Sequence, residues 1–203
     1  MGLLSFLIDG IFPPLCAHCG KLGTFLCPKC YNKLEFSQKV HFIADGIPVQ
    51  SSTNYSDVSA AIVHTLKYDS VKPLAKICAE IIYFSCDISD CDLITSVPLH
   101  PVRQRLRGFN QAEEIALQLA KLLQKPYIPL LKRTKHTINF AKVTDKEERK
   151  KLSDGLYTLN PKYQNLKYNS ALIIDDVWTT GATLKSCSIN IKNPYLLTFT
   201  HRK

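Results

Sequence analysis

Two adjacent carboxylates, Asp175 and Asp176, close the apolar run Ala171-Leu172-Ile173-Ile174, and after Val177 and Trp178 comes a hydroxyl- and glycine-rich turn, Thr179-Thr180-Gly181-Ala182-Thr183. The run has the length and branching of a buried strand, and the carboxyl end of a strand is where open α/β sheets place ligands. Thr179 to Thr183 offers successive backbone N–H donors, a glycine without Cβ hindrance and three hydroxyls, at the start of a helix whose dipole favours an anion. A phosphate fits that turn. The carboxylates repel a phosphate and suit hydroxyl donors instead, most simply the vicinal hydroxyls of a ribose. Together the two demands describe a phosphorylated ribose. A simple helix cap by Thr179 or Thr180 explains one hydroxyl and neither carboxylate.

A second constellation lies near the amino terminus. Cys16-Ala17-His18-Cys19 and Cys27-Pro28-Lys29-Cys30 are CxxC pairs separated by seven residues. Four thiolates at that spacing can close tetrahedrally on Zn²⁺. A segment of about fifteen residues buries too little apolar surface to hold itself, so the metal is structural and supplies much of the local folding energy. A redox role wants one pair beside a βαβ unit, and disulfides want a secreted chain; neither fits. His18 is a solvated bystander on this reading, because four sulfurs complete the shell.

A third group follows the strand candidate Leu93 to Val97. Pro98-Leu99-His100-Pro101 leads into Arg103, Arg105 and Arg107, then Gly108-Phe109-Asn110-Gln111. Three guanidiniums at alternate loop positions concentrate charge suited to bidentate phosphate contacts, against the plainer reading of surface charge. This loop reaches the Asp-Asp motif if the two strands are neighbours. Asn110 reads as the N-cap of the next helix, and His100, with no carboxylate in view beside it in the sequence, is given no catalytic assignment.

These groups need a scaffold. Ile47 to Thr53 reads as a strand, and Val58 to Tyr68 as a helix with Val58, Ala61, Ile62 and Leu66 on its apolar side. Pro73 starts another helix that carries Leu74, Ile77, Cys78, Ile81 and Ile82 on one face. A helix from about Asn110 presents Ile115, Leu119, Leu122 and Leu123. Strands are expected at Tyr127 to Leu131, Leu156 to Leu159, Ala171 to Ile174 and Tyr195 to Thr200, with a helix from Ala182 to about Ile191 and weak helical character at 145–151. This alternation predicts an α/β fold, a mostly parallel sheet with helices on both faces. Residues 1–42 are assigned to an apolar segment and the cysteine finger, and 43–203 to the main domain.

The 203 residues, 45% of them hydrophobic, can bury one medium core with a small appendage. No repeat or low-complexity tract suggests a solenoid or a disordered tail. Cys78, Cys86, Cys91 and Cys187 show no paired spacing and read as reduced, buried, small apolar residues, which points to a reducing cytosol. The first twelve residues are apolar but lack a basic n-region and contain Asp9, so they do not read as a signal peptide. Residues 3 to 12 are read as an apolar lid on the finger or on a partner, with shallow membrane contact as the alternative. No uncharged run is long enough to span a bilayer. The net charge of +9 is concentrated: residues 103 to 151 hold thirteen Lys or Arg against five Asp or Glu, a local net of +8. Such a block favours polyanions, whether nucleic acid or a small polyphosphate, though a solvated face is always the plain alternative.

The Asp175 to Thr183 loop resembles the signature of type I phosphoribosyltransferases, which bind 5-phosphoribosyl-1-pyrophosphate (PRPP). Taken with the four-cysteine finger, the Leu66-Lys67-Tyr68 element and the Arg107-Gly108-Phe109-Asn110-Gln111 loop, the chain is similar, from about residue 3 to its end, to the ComF (ComFC) family of competence proteins. The resemblance implies a phosphoribosyltransferase-like fold and a role in handling incoming single-stranded DNA during natural transformation. That role implies work with other DNA-uptake proteins at the cytoplasmic side of the inner membrane. It further implies that Asp175 and Asp176 bind ribose and Mg²⁺, that Thr179, Thr180, Gly181, Ala182 and Thr183 bind the 5-phosphate, and that Pro98 and Leu99 lie where the pyrophosphate sits, with Arg103 and Arg107 beside it. Lys132 to Lys151 falls where such proteins carry a hood. There this chain departs from the family pattern, with Ile138-Asn139-Phe140 and Leu152 in place of its Gln and Asn.

Displacing pyrophosphate from ribose C1 passes through an oxocarbenium-like state, helped by Mg²⁺ on the leaving group and by cationic side chains. No acceptor nucleophile is identifiable, so turnover and binding alone both stay open. Two functions remain. One is a single-stranded DNA accessory protein using Arg103, Arg105, Arg107, Lys132, Arg133 and Lys135, with Phe109, Tyr127 or Phe140 available for stacking or for the core. The other is a phosphoribosyltransferase acting on an undetermined acceptor.

Overall fold

The apolar runs become strands of one sheet. The structure, a computed structural model, describes residues 13–37, 39–43, 46–88, 90–134 and 155–202. Strands are β1 (Val40–Ile43), β2 (Ile47–Asn54), β3 (Leu93–Ser96), β4 (Leu131–Arg133), β5 (Tyr157–Leu159), β6 (Ala171–Trp178) and β7 (Pro194–His201). Helices are α1 (Pro28–Tyr31), α2 (Asp57–Tyr68), α3 (Pro73–Ser85), α4 (Pro101–Arg107), α5 (Gln111–Leu123) and α6 (Ala182–Ser188). The main sheet has the order β1-β2-β7-β6-β3. β2, β7, β6 and β3 run parallel, and β1 joins β2 antiparallel. β1 runs through residue 42, so it belongs to the main sheet. β4 and β5 form a separate antiparallel pair.

Helices cover both faces, as expected of a parallel sheet with crossover connections. On one face α2, α3 and α5 bury Ile62, Leu66, Leu74, Ile82, Ile115 and Leu119 against Leu172, Ile174, Leu197 and Phe199. On the other, α6 places Leu184 and Cys187 with Leu131, Leu156 and Tyr157 against Ile173 and Leu196. Cys78 and Cys187 sit wholly inside these layers, where burial pushes their thiols upward in pKa, so they act as small apolar residues.

Local chemistry explains the boundaries. Ser56 caps α2 through a capping box with Ser59, and Pro73 begins α3. The strand expected at Tyr127 to Leu131 is displaced: Tyr127 makes a single parallel bridge with Ile94, and regular strand resumes at Leu131. Pro126 and Pro129 lack the N–H groups a ladder needs. α6 ends at Ser188, short of Ile191, where Asn190 Nδ2 turns to the carbonyls of Tyr157 (3.0 Å) and Ser186 (3.5 Å). The finger docks on the same core as α3, with Cys16, Cys27, Cys30 and Leu34 in its buried cluster. The lid expected from residues 3 to 12, the helical character at 145–151, Phe140 and Lys135 lie outside the described residues.

Candidate functional site

β3 and β6 are direct parallel neighbours, in register from Leu93 opposite Ala171 to Ser96 opposite Ile174. Their carboxyl ends therefore open side by side, and Val97 N donates to Ile174 O at 2.9 Å beyond the last paired residues. The Pro98 turn and the Asp-Asp motif meet at that edge, around a cavity of about 160 Å³. Pro98, Leu99, Arg103 and Arg107 line one side, Asp175, Asp176 and Thr183 another, with Lys67 and Arg133 also on the wall.

The three arginines are not in a loop. Pro101 supplies the first helical position of α4, His100 Nδ1 accepts from Val102 N at 3.2 Å, and Gly108 ends the helix in the left-handed region at φ 79°. Residues four apart share a helix face, so Arg103 and Arg107 both reach the cavity, whereas Arg105 is rotated away and does not line it. The loop expected here is a helix, and of its three arginines the cavity is lined by Arg103 and Arg107. Arg107 is held on three sides: Nη1 donates to Gln111 Oε1 at 3.2 Å, the guanidinium lies 5.4 Å from the Tyr68 ring centroid, and its carbonyl accepts from Ser70 Oγ at 3.4 Å. Asn110 is not a side-chain cap. It is buried, and its Nδ2 donates to Val97 O at 3.0 Å, satisfying a carbonyl that leaves the strand without a ladder partner.

Both aspartates lie within β6 rather than after it. Successive strand residues point to opposite faces, which separates their surroundings. Asp176, 9% exposed, meets Lys67 from the end of α2, with Nζ to Oδ2 at 2.6 Å. Asp175 faces the side of Tyr157, Cys187 and Arg133, and its Oδ1 accepts the Asp176 N–H at 2.9 Å. Burial, then the neighbouring Asp176 charge, push its carboxyl up to about 8. In the sequence Lys67 closes a helix, and a basic residue in a last turn is so ordinary that nothing in the spacing singles it out.

Of the turn from Thr179 to Thr183, only Thr183 lines the cavity; Thr179, Thr180 and Ala182 are exposed and Gly181 is buried. Gly181 adopts φ 76°, and a Cβ there would lie 3.1 Å from Trp178 Nε1 and 3.3 Å from Ile43 Cγ2. Arg133 reaches the cavity from β4, its guanidinium 5.5 Å from the Tyr157 ring centroid, while Lys132, one strand position away, is exposed and does not line it.

Cys16, Cys19, Cys27 and Cys30 bring their Sγ atoms within 4.8 Å of one another, and Cys19 and Cys27 sulfurs are 3.7 Å apart. Tetrahedral Zn–S bonds of roughly 2.3 Å require sulfurs about 3.8 Å apart, so the cluster can hold a metal such as zinc. Cys27 N also donates to Cys16 Sγ at 3.4 Å. His18 is no bystander: its Nδ1 lies 3.3 Å from Cys30 Sγ, where an imidazole N–H can support a thiolate. Among the described residues no helix is long and apolar enough to cross a membrane.

No family model matches the chain. Competence protein F of Haemophilus influenzae (strain ATCC 51907 / DSM 11121 / KW20 / Rd) is 26% identical to it over 186 residues, an alignment covering 86% of this chain and 77% of that protein. Extending along most of the chain, that similarity supports the resemblance to the ComF family that the motifs above carry.

Proposed function

We propose that this chain is a competence protein that handles incoming single-stranded DNA at the cytoplasmic side of the inner membrane, with other DNA-uptake proteins, and binds PRPP or a related phosphorylated ribose in the cavity between β3 and β6. The observation that carries the ligand reading is the meeting of opposite chemistries at one sheet edge: two carboxylates from β6 against Arg103 and Arg107 from α4. The carboxylates suit the sugar hydroxyls, the turn through Thr183 the 5-phosphate, and the α4 guanidiniums the pyrophosphate, where planar forks match paired oxygens. Mg²⁺ bound with such a ligand would neutralise pyrophosphate charge. The four cysteines are read as a structural zinc site.

The DNA reading rests on the basic block, and the competence role on the similarity to competence protein F of Haemophilus influenzae. Among the described arginines and lysines named above for DNA, Arg105 and Lys132 are exposed and lie outside the cavity, placed to meet a phosphate backbone. A second reading, a phosphoribosyltransferase acting on an unidentified acceptor, is favoured by the same cationic wall, since Arg103 and Arg107 would stabilise charge on a departing pyrophosphate. Calorimetry with PRPP and Mg²⁺ on the wild type and on Asp175→Ala/Asp176→Ala tests the ligand: binding by the first and none by the second is expected. Heat of equal size from both proteins would remove the proposal. Pyrophosphate release that requires Asp176 separates the second reading from the first.

A further inference from the structure

Lys67 has no assigned task in the ligand site, yet it makes the closest charged contact there. Its Nζ lies 2.6 Å from Asp176 Oδ2, and both side chains are largely shielded, at 20% and 12% exposure. A charge-assisted contact this short, in a partly dry pocket, is not the loose pairing of surface side chains. The rest of the acidic pair is also engaged, because Asp175 Oδ1 accepts the Asp176 N–H. Among the described residues, the four cysteines form the only group of three or more His, Cys, Asp or Glu placed to share an ion; the two aspartates gain no third such ligand.

We infer that Lys67 is the resident cation of the acidic pair: its ammonium occupies the place on Asp176 that a divalent metal would take, so the protein alone presents sugar-hydroxyl acceptors and no metal site. Mg²⁺ prefers oxygen ligands at about 2.1 Å in a near-octahedral shell. On Asp176 Oδ2 such an ion would stand within about 4.7 Å of the ammonium whatever the angle, and like-charge repulsion in a shielded pocket would expel it. Any Mg²⁺ then enters on the oxygens of the ligand, a corollary that rests on the proposed phosphorylated-ribose reading. Lys67 is thus a specificity-determining residue: it sets the pair to read hydroxyls.

The experiment uses the zinc-loaded full chain and Mn²⁺ as the probe, with free Mn²⁺ followed by electron paramagnetic resonance. Wild type and Lys67→Arg, which keeps the charge, are expected to bind Mn²⁺ no better than Asp176→Asn. Lys67→Met uncovers the Asp176 carboxylate and is expected to tighten Mn²⁺ binding at least tenfold, a gain lost in Lys67→Met/Asp176→Asn. Asp176-dependent Mn²⁺ binding by the wild type, or no gain in a folded Lys67→Met, overturns the inference. If Lys67→Met does not fold, calorimetry of the wild type with ribose 5-phosphate decides. Equal affinity with and without added MgCl₂ supports the resident cation, and binding only with MgCl₂ overturns it. Absence of binding in both buffers overturns the phosphorylated-ribose reading and its corollary, while the Mn²⁺ comparison of wild type with Asp176→Asn still judges Lys67.

Discussion

Trp178 and His201 stack nearly parallel across β6 and β7, ring centroids 3.8 Å apart and planes 13° apart, and His41 of β1 packs edge-on against both. This stack fixes the indole beneath the glycine of the Thr179 to Thr183 turn. The Trp178 Nε1 that faces Gly181 is buried and has no hydrogen-bond partner among the described residues.

The turn is therefore built around an absent side chain. Gly181→Ala is expected to cost about 1–2 kcal/mol, since it combines a positive φ with Cβ contacts of 3.1 and 3.3 Å to a ring and a branched side chain that are both packed. Urea unfolding checks the size. Gly181→Ala/Trp178→Leu should recover the steric part of any loss in ligand affinity while leaving the backbone strain; an alanine variant as stable as the wild type would show that the turn has room.

Asp175 gives stability a pH dependence of definite sign. Its carboxyl is pushed up to about 8 by burial and by Asp176, whereas in the unfolded chain it titrates near 3.9. Between those values the native state holds the proton and the unfolded state does not, so stability falls as pH rises from about 4 to about 8 and levels off above. Asp175→Asn carries no such charge. Its stability relative to wild type should therefore grow from pH 5 to pH 8 in magnesium-free urea titrations, while ligand binding is lost. A constant difference across that range would show that Asp175 is ordinarily solvated.

The helix α4 sorts its arginines by face, and binding should follow. Arg103→Ala and Arg107→Ala are each expected to weaken PRPP binding about tenfold or more, the scale of a lost charge-assisted contact, while Arg105→Ala leaves it within twofold. Arg105→Ala should instead lower single-stranded DNA affinity and flatten its salt dependence. Equal losses of PRPP affinity at all three positions would mean that the charge acts as a diffuse field.

What the sequence disclosed depended on how strongly each segment was patterned. Leu172 to Ile174 lies in an uninterrupted apolar run, Tyr195 to Phe199 is broken only by Thr198, and Val58, Ile62 and Leu66 keep helical spacing, so the sheet and its covering helices were legible. α4 was not, because Pro98 and Pro101 announce a loop and the seven-residue helix buries none of its side chains; Leu106 is 82% exposed. The adjacency of Arg103 and Asp175 followed only conditionally, because strand order is a long-range choice made by packing. Lys67 was hidden for the same reason: its partner lies on another element, more than a hundred residues along the chain.

The cysteine finger shares its buried surface with α3, so its loss should reach beyond its own residues. Cys16→Ser or Cys27→Ser is expected to abolish zinc in elemental analysis and to lower the melting temperature of the whole chain, since the finger lacks a core of its own. His18→Ala should act more mildly, reducing zinc affinity about tenfold through the lost contact to Cys30 Sγ. Unchanged zinc content in Cys16→Ser would remove the metal assignment.

At the β3 edge Asn110 anchors the turn that leads into the pocket. Its Nδ2 donates to Val97 O, and the residue itself is buried beside Gln111 and Phe109. Asn110→Ala leaves that carbonyl unsatisfied where little water reaches it, at a cost of about 1–3 kcal/mol. Pro98 and Leu99 continue directly from Val97 into the cavity wall, so loosening this anchor should also weaken PRPP binding. Asn110→Asp keeps the shape but turns the donor into an acceptor facing a carbonyl, and should be at least as damaging as alanine. If Asn110→Asp matched the wild type in urea unfolding and in PRPP affinity, the Val97 hydrogen bond could not be what holds the turn in place.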